Sequence, residues 1–195
     1  MITGLDKYRI ILASRSPRRQ QLLKDLGIKF EVVEMDYDET FPEDLQGEEA
    51  AIYLAKGKSS LFRNTLSDND IVITADTIVW CNNTALGKPA GYEDARRMIQ
   101  ELSGNTHEVI TGVSLLSTVK EISFCESTKV TFEKLSDEEI DFYIHEYKPF
   151  DKAGAYGIQE WIGIAACSRI EGSYFNVVGL PIQRLYRELQ EFIRE

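Results

Sequence analysis

The sequence predicts a mixed α/β fold in which a mixed sheet packs against helices. Segments with strand periodicity alternate with segments of helical periodicity along the whole chain. The chain has 195 residues, of which 43% are hydrophobic, so it can bury a core without disulfides. Because no Pro/Ser-rich linker divides it, we expect one domain over residues 1–195, arranged as two lobes with a groove between them.

The first strand and helix are predicted from the segment around Ser14. The apolar run at residues 10–13 is typical of a strand buried on both faces. Ser16 is a favourable N-cap, Pro17 fits the first helical position, and Gly27 can end the helix. Backbone N–H groups at a helix start attract anions, and guanidinium groups suit phosphate oxygens. We therefore interpret the loop as a phosphate cradle, with an ordinary capped helix as the alternative. The side chains available there are Ser14, Arg15, Ser16, Arg18 and Arg19.

The remaining elements follow from the period of the apolar residues. Further strands are predicted at residues 30–33, 71–75, 78–81, 108–116, 121–132, 165–170 and 174–178. Further helices are predicted at residues 48–62, 93–102 and 140–146, and from Pro181 to the C-terminus. The strand at 71–75 is expected to end at Asp76 and Thr77, with its continuation over 78–81 as the alternative. Residues 136–139 form a capping-box sequence. Residues 34–49 and 151–159 are expected to be irregular.

Charge and composition exclude several classes of protein. The net charge of −10 repels a nucleic-acid backbone, so we expect no nucleic-acid partner. No apolar run is long enough to span a bilayer, and the N-terminal residues lack the pattern of a signal peptide. Three widely spaced cysteines and two histidines argue against a disulfide framework and a zinc site. We expect a cytoplasmic protein with no membrane partner.

Two further positions are candidates for chemistry. Asp76 follows a buried strand, where α/β folds place catalytic groups, so it could act as a general base or a metal ligand. The alternative is a turn aspartate, which is the more common use. Lys88 lies between Gly87 and Pro89 in a defined turn that suits a phosphate contact; a solvated lysine is the alternative.

The loop at residues 151–159 is a candidate nucleotide contact. Its glycines and alanines allow a ligand to approach the backbone closely, and Lys152 adds a positive charge. Gln159 offers a donor and an acceptor for the edge of a base, and Tyr156 could stack on a base or pack in the core. The acidic residues 36–39 could supply oxygen ligands to a divalent cation, with a solvated surface as the alternative.

Taken together, these stretches resemble the Maf family of nucleoside triphosphate pyrophosphatases. The resemblance covers nearly the whole chain, from Ile11 to the last helix. It rests on motifs at residues 13–19, 74–77, 87–89, 102–104, 107–109, 151–159 and 178–181, which match in order. The chain departs from the family at Thr74, where glycine is frequent, and at Trp161, where the family continues with glycines.

The resemblance implies an elongated inosine-triphosphatase-like (Maf/HAM1) fold with a deep cleft. It implies hydrolysis of a nucleoside triphosphate to the monophosphate and pyrophosphate with a divalent metal, Mg or Mn. The residues at three specificity positions, Arg18, Thr77 and Gln159, match the group of the family that acts on dTTP and UTP. The implied role is the removal of non-standard nucleotides, known as house-cleaning. Two alternatives stay open, a 7-methyl-GTP pyrophosphatase and a catalytically silent nucleotide-binding regulator of cell division. A homodimer is suggested at the level of the family.

The roles that follow from the resemblance are specific to residues. Asp76 is expected to be the general base for the attacking water. The phosphate ligands are expected to be Ser14, Arg18, Arg19, Lys58, Lys88 and Lys152. The base is expected to be read by Arg18, Thr77 and Gln159. The metal is expected to be held by Asp76 with Asp38 or Glu39.

Overall fold

The alternation of strand and helix patterns produces seven strands and seven α-helices within residues 2–194, which the computed structural model describes. The strands are β1 (Arg9–Leu12), β2 (Glu31–Val32), β3 (Asp70–Cys81), β4 (Thr84–Leu86), β5 (Thr106–Leu116), β6 (Glu121–Phe132) and β7 (Cys167–Glu171). The helices are α1 (Pro17–Asp25), α2 (Gly47–Ser60), α3 (Tyr92–Leu102), α4 (Asp137–Tyr147), α5 (Trp161–Ala165), α6 (Tyr174–Val178) and α7 (Ile182–Phe192). None of these helices combines the length and the apolar character needed to cross a bilayer.

The predicted mixed sheet is confirmed. The strand order is β2-β1-β3-β5-β6-β7, and β4 pairs with β3. Strand β1 is parallel to β2 and β3, whereas β4 is antiparallel to β3 and β7 is antiparallel to β6. The chain divides into two compact units, so the prediction of one domain with a groove stays a prediction, and its bounds at residues 1 and 195 lie outside the described residues.

Unit 1 comprises residues 2–76, 111–126 and 179–194 of the described chain. Its helix α2 packs closely on the sheet because its inward face is built from small residues and leucine, all at most 2% exposed: Ala50, Ala51, Leu54 and Ala55. Gly112 in β5 permits this approach, since a Cβ atom there would overlap the backbone carbonyl of Ala51. The hydroxyl of Thr74 in β3 also donates to the carbonyl of Ala55 at 2.7 Å. Helix α2 is therefore fixed in both position and register against β3.

Unit 2 comprises residues 77–110 and 127–178. Its core joins the apolar faces of α3 and α4 to the sheet, and the fully buried side chains there include Ile99, Leu102, Phe132 and Tyr143. The predicted capping box at the start of α4 is confirmed. The Ser136 hydroxyl accepts from the N–H of Glu139, and the Glu139 carboxylate accepts from the N–H of Ser136. This cap fixes the start of the helix that carries Tyr143.

The structure corrects three expectations about the elements. Strand β3 does not end at Asp76; of the two alternatives, the structure supports the continuation to Cys81, because Val79 and its neighbours pair with β4 across the turn at residues 82–83. Residues 161–165 form helix α5 where a strand was predicted to begin at 165, and β4 was not predicted. Residues 174–178 form helix α6 and not a strand, because the Ser173 hydroxyl caps the N–H of Asn176. The buried Asn176 amide then donates to the carbonyl of Val109 at 2.9 Å.

Candidate functional site

The start of helix α1 has the capped geometry that the sequence predicts. The Ser14 hydroxyl accepts from the N–H of Ser16 at 3.2 Å, and the Ser16 hydroxyl accepts from the N–H of Arg19 at 3.4 Å. Ser14 is buried, whereas Arg18 is half-buried. The exposed Arg15 forms ion pairs with Glu34 and Asp36. The N-terminus of a nine-residue helix and two serine hydroxyls therefore meet at the predicted phosphate cradle.

Arg19 ties the start of α1 to other segments of unit 1. Its Nε donates to the carbonyl of Gly179, and its Nη1 donates to the carbonyl of Ala75, both at 2.8 Å. Burial lowers the pKa of Arg19. Because Ala75 directly precedes Asp76, this guanidinium fixes the backbone next to the predicted general base.

Three charged side chains form what we call the strand cluster: Lys58, Asp76 and Glu39. The Lys58 ammonium donates to Oδ1 of Asp76 and, at 2.8 Å, to Oε1 of Glu39. Lys58 and Asp76 are buried, whereas Glu39 is partly open to solvent. Lys58 belongs to α2 and Asp76 lies in the middle of β3, so the packing of α2 on β3 brings the two side chains into contact. The predicted phosphate ligand Lys58 thus contacts the predicted general base.

The acidic segment before α2 is held against that helix by Tyr37. Its hydroxyl lies where a Cβ atom of Gly57 would be, so any larger residue at position 57 would displace the phenol ring. Burial raises the pKa of Tyr37. Asp38 is exposed, and its carboxylate accepts from the N–H of Thr40 at 3.2 Å, whereas Glu39 turns toward Lys58. Of the two acidic candidates, Glu39 is the one joined with Asp76 in one cluster.

The strand cluster is an incomplete but suitable donor set for a divalent cation. Among residues 2–194, no group of three or more His, Cys, Asp or Glu side chains is placed to hold a metal. Mg²⁺ is commonly held by one or two carboxylates and the phosphates of its substrate, so such a group is not required. Asp76 and Glu39 share one ammonium, which leaves negative charge for a cation. The residues present therefore fit a metal that binds together with a triphosphate.

Unit 2 contains the other predicted residues, and two of its loops are joined. The N–H of Gly154 donates to the carbonyl of Gly87 at 3.0 Å, so the loop that carries Lys88 is bonded to the loop at 151–160. Gly154 has a φ of +66° and lies against Val79, which a Cβ atom there would approach to 3.0 Å. The side chain of Lys88 is exposed.

A second set of three charges, which we call the loop cluster, lies within the loop at 151–160: Lys152, Asp151 and Glu160. The buried Lys152 ammonium lies 2.8 Å from Oδ1 of Asp151 and 3.1 Å from Oε1 of Glu160. The other carboxylate oxygen of Glu160 accepts from the Tyr143 hydroxyl. No sequence pattern singled out Glu160 or Tyr143, although the chain departs from the family at Trp161, which is the residue next to Glu160.

The remaining side chains of this loop divide between core and surface. Tyr156 is buried; its hydroxyl lies 2.8 Å from Nε2 of His107, and its ring packs edge-on against Phe132. Of the two alternatives for Tyr156, the structure supports packing in the core. Burial lowers the pKa of His107 to about 4, so its imidazole is neutral. Gln159 is exposed, and Thr77 is half-buried.

Comparisons with known proteins cover almost the whole chain. The family described as Maf-like protein matches residues 9–192. A protein of Phocaeicola vulgatus is 55% identical over 192 residues, which are 98% of this chain and 100% of the relative. A protein of Flavobacterium johnsoniae is 50% identical over 189 residues, 97% of each chain. Both relatives carry the name dTTP/UTP pyrophosphatase. The resemblance that the motifs indicated is thereby confirmed, and the chain belongs to the Maf family.

Proposed function

We propose that this chain hydrolyses dTTP and UTP to the monophosphate and pyrophosphate. The observation that carries the proposal is the buried pair of Asp76 and Lys58 in a chain of the Maf family. The shared name of the relatives supports the choice of substrates. We extend it to a cytoplasmic house-cleaning enzyme, and three free cysteines suit a reducing compartment.

Asp76 acts as the general base in this reaction. Its carboxylate takes a proton from a water molecule whose oxygen attacks the α-phosphorus. The bond from that phosphorus to the bridging oxygen of the β-phosphate breaks, and pyrophosphate leaves with the electron pair. Lys58 holds the Asp76 carboxylate in place and adds positive charge near the triphosphate.

The triphosphate ligands are proposed for each unit separately. In unit 1, Ser14 and Arg18 at the start of α1 contact phosphate oxygens, with Arg19 and Lys58 as further contacts. Arg19 already donates to two backbone carbonyls, which supports an additional role in holding the backbone before Asp76. In unit 2, the exposed Lys88 is the proposed phosphate contact.

A divalent cation, Mg or Mn, would be held by Asp76 and Glu39 of the strand cluster, with Asp38 as the alternative to Glu39. When bound, such an ion neutralises phosphate charge and polarises the phosphoryl oxygen. The protein's own contribution is to hold two carboxylates on the one ammonium group of Lys58.

Recognition of the base is proposed for Arg18, Thr77 and Gln159. The exposed amide of Gln159 can donate and accept, which matches the edge of uracil or thymine. A site that depends on hydrogen bonds rejects bases that leave its groups unpaired. The chain is proposed to act as a homodimer, which follows from the family alone.

The test is an assay of pyrophosphate release from dTTP, UTP, GTP and 7-methyl-GTP with magnesium or manganese. We expect pyrophosphate as the primary product and the highest kcat/KM for dTTP or UTP. Orthophosphate as the primary product would contradict the reaction. A preference for 7-methyl-GTP would assign the chain to the other substrate group, and no turnover of any nucleotide would favour a silent regulator.

A further inference from the structure

The carboxylate of Glu160 holds two other parts of unit 2 at once. Its Oε1 lies 3.1 Å from the Lys152 ammonium, and its Oε2 accepts from the Tyr143 hydroxyl. That hydroxyl also accepts from the N–H of Gly157 at 3.0 Å. Burial and the Glu160 carboxylate raise the pKa of Tyr143, so the phenol stays a donor. The beginning, the middle and the end of the loop at 152–160 are therefore bonded through one helix residue and one carboxylate.

The side chain of Gln159 shares this arrangement. A Cβ atom at Gly157 would lie 2.9 Å from Nε2 of Gln159 and 2.8 Å from Cδ of Glu160. Both side chains thus fold back over the same glycine. The Gln159 amide nitrogen and the Glu160 carboxylate carbon are therefore close neighbours beside Gly157. Gln159 is exposed, whereas the Glu160 side chain is mostly buried, so the carboxylate forms part of the protein surface next to the proposed base-reading amide.

The loop needs such bonds because its backbone is strained. Ala155 is a buried non-glycine residue with a φ of +56°, a conformation that costs free energy for an L-residue with a side chain. Contacts around the loop must hold this conformation. The Gly154 bond to Gly87 and the loop cluster are the bonds that hold the residues before and after Ala155.

The surroundings of Lys152 also bear on its role. Its ammonium is buried and lies beside two carboxylates, as that of Lys58 does. The partners of Lys58 include the proposed general base, whereas Asp151 and Glu160 have no proposed part in the reaction, so a phosphate at Lys152 would only compete with paired negative charges. Lys88 in the same unit is exposed to solvent and is the phosphate contact proposed there. A buried ammonium in such a setting stabilises the carboxylates around it.

From this geometry we infer that Glu160 is a positioning residue for Gln159, and that Lys152 and Tyr143 serve Glu160, with Lys152 as its counter-ion and not as a triphosphate ligand. The inference rests on the proposed function. It makes selectivity for the base depend on a carboxylate that contacts no substrate. It also gives Lys152 a different role from that of Arg18 and Lys88, which remain proposed phosphate contacts.

The test compares Glu160→Gln and Lys152→Met with the unaltered protein, using kcat/KM for dTTP and for GTP and the inhibition constant of pyrophosphate. We expect each change to lower the dTTP-to-GTP ratio about tenfold, since one charge-assisted bond is lost. Inhibition by pyrophosphate stays unchanged, because no phosphate ligand is removed. In the double variant, the dTTP-to-GTP ratio should fall no further than in the more affected single variant, since both changes break the same contact between Lys152 and Glu160.

Opposite results overturn the inference. If Lys152→Met weakens pyrophosphate inhibition and lowers kcat/KM for every nucleotide alike, Lys152 is a phosphate ligand. If Glu160→Gln leaves the ratio unchanged, Glu160 does not position Gln159. Should either variant fail to fold, Tyr143→Phe decides, because it removes only the hydroxyl that joins Glu160 to Gly157, and an unchanged ratio there also overturns the inference. Lys152→Arg, which keeps the charge, should restore part of the ratio.

Two controls separate this inference from the proposed function. Lys129→Met removes a positive charge from an exposed position of β6 in the same unit and should leave the ratio unchanged. If the unaltered protein shows no preference for pyrimidine nucleotides, the proposed function fails, and the inference fails with it. If that preference exists and survives in active Glu160 and Lys152 variants, only the positioning role fails.

Discussion

The strand cluster and the loop cluster each place a buried lysine beside two carboxylates, but they obtain the carboxylates differently. In the strand cluster, Lys58 is 18 residues from Asp76 and 19 residues from Glu39. In the loop cluster, both partners of Lys152 belong to the loop at 151–160. The first set joins a helix, a strand and an irregular segment, whereas the second closes one loop on itself.

The two clusters have similar charges, so the elements that carry them determine whether a cluster serves catalysis or selectivity. Asp76 and Lys58 are held by β3 and α2, which Thr74 and Gly112 fix against each other. Rigid elements of this kind keep a reacting group in place, as catalysis requires. In the loop cluster all three charged residues belong to one loop, and a single helix residue, Tyr143, joins them to a regular element. Loss of the first should abolish chemistry, and loss of the second should change selectivity.

The largest expected effect comes from Asp76→Asn. The amide is nearly isosteric but cannot accept the proton of the attacking water, so kcat should fall about 10²–10⁴-fold for every nucleotide. The dTTP-to-GTP ratio should stay the same. Pyrophosphate release measures both. Asp151→Asn is the matched control, since it removes the exposed carboxylate of the loop cluster and should change kcat little. An Asp76→Asn protein that is folded and fully active would remove Asp76 from the mechanism.

The next effect concerns stability and comes from Lys58→Met. It leaves the buried carboxylate of Asp76 without its ammonium partner, and breaking a buried pair in this way costs about 3–5 kcal/mol of unfolding free energy. Urea unfolding monitored by tryptophan fluorescence measures the loss. Lys56→Met, at an exposed position of the same helix, is the control. A loss no greater than that of the control would show that Asp76 finds other partners when Lys58 is absent.

Helices and strands could be predicted accurately where a single periodic pattern of apolar residues extends over many residues. Strand β6 at 121–132 was predicted to the residue, and α3 to within one residue. Helix α6 was predicted as a strand because its residues favour extended structure, whereas Ser173 and the buried Asn176 impose a helical turn. The sequence left open whether β3 continues through Asp76, because the continuation pairs with β4, and no pattern indicated β4. Tertiary contacts thus overrode local preference.

The candidate site divides in the same way. A motif identified Asp76, and the resemblance to the family added Lys58 and Glu39 as separate candidates. No pattern could show that the three contact one another, because the contact between Lys58 and Asp76 depends on how α2 packs on β3. Lys152 is a lysine in a loop rich in glycine and alanine, as expected for a phosphate ligand. Only its burial next to Glu160 indicates another role. Residue type predicts chemistry, whereas folding determines which partner is in reach.

The loop of unit 2 can also be probed through pH. The pKa of His107 is lowered by burial from 6.5 to about 4, so between these values the unfolded chain binds a proton that the folded protein excludes. The free energy of unfolding should therefore fall as the pH drops through this window, by about 2 kcal/mol between about pH 7 and about pH 5. Urea unfolding at the two pH values measures the difference.

The histidine variants assign that loss. His107→Gln should remove most of the decrease, whereas His145→Gln, at the exposed end of α4, should retain it. An equal decrease in both variants would place the responsible proton on another group. A decrease that only the His107 variant removes would show that the folded protein holds this buried imidazole neutral.

The smallest expected effect, and the sharpest contrast with Asp76, comes from Gln159→Ala. It removes the amide proposed to match the edge of uracil or thymine and leaves the strand cluster intact. The dTTP-to-GTP ratio of kcat/KM should fall about tenfold, the value of one well-placed hydrogen bond, while kcat/KM for GTP changes little. Gln100→Ala, at an exposed position of α3 in the same unit, serves as the control. A ratio that does not move would make Gln159 a structural residue of the loop, and the contrast between a cluster for chemistry and a loop for selectivity would then be wrong.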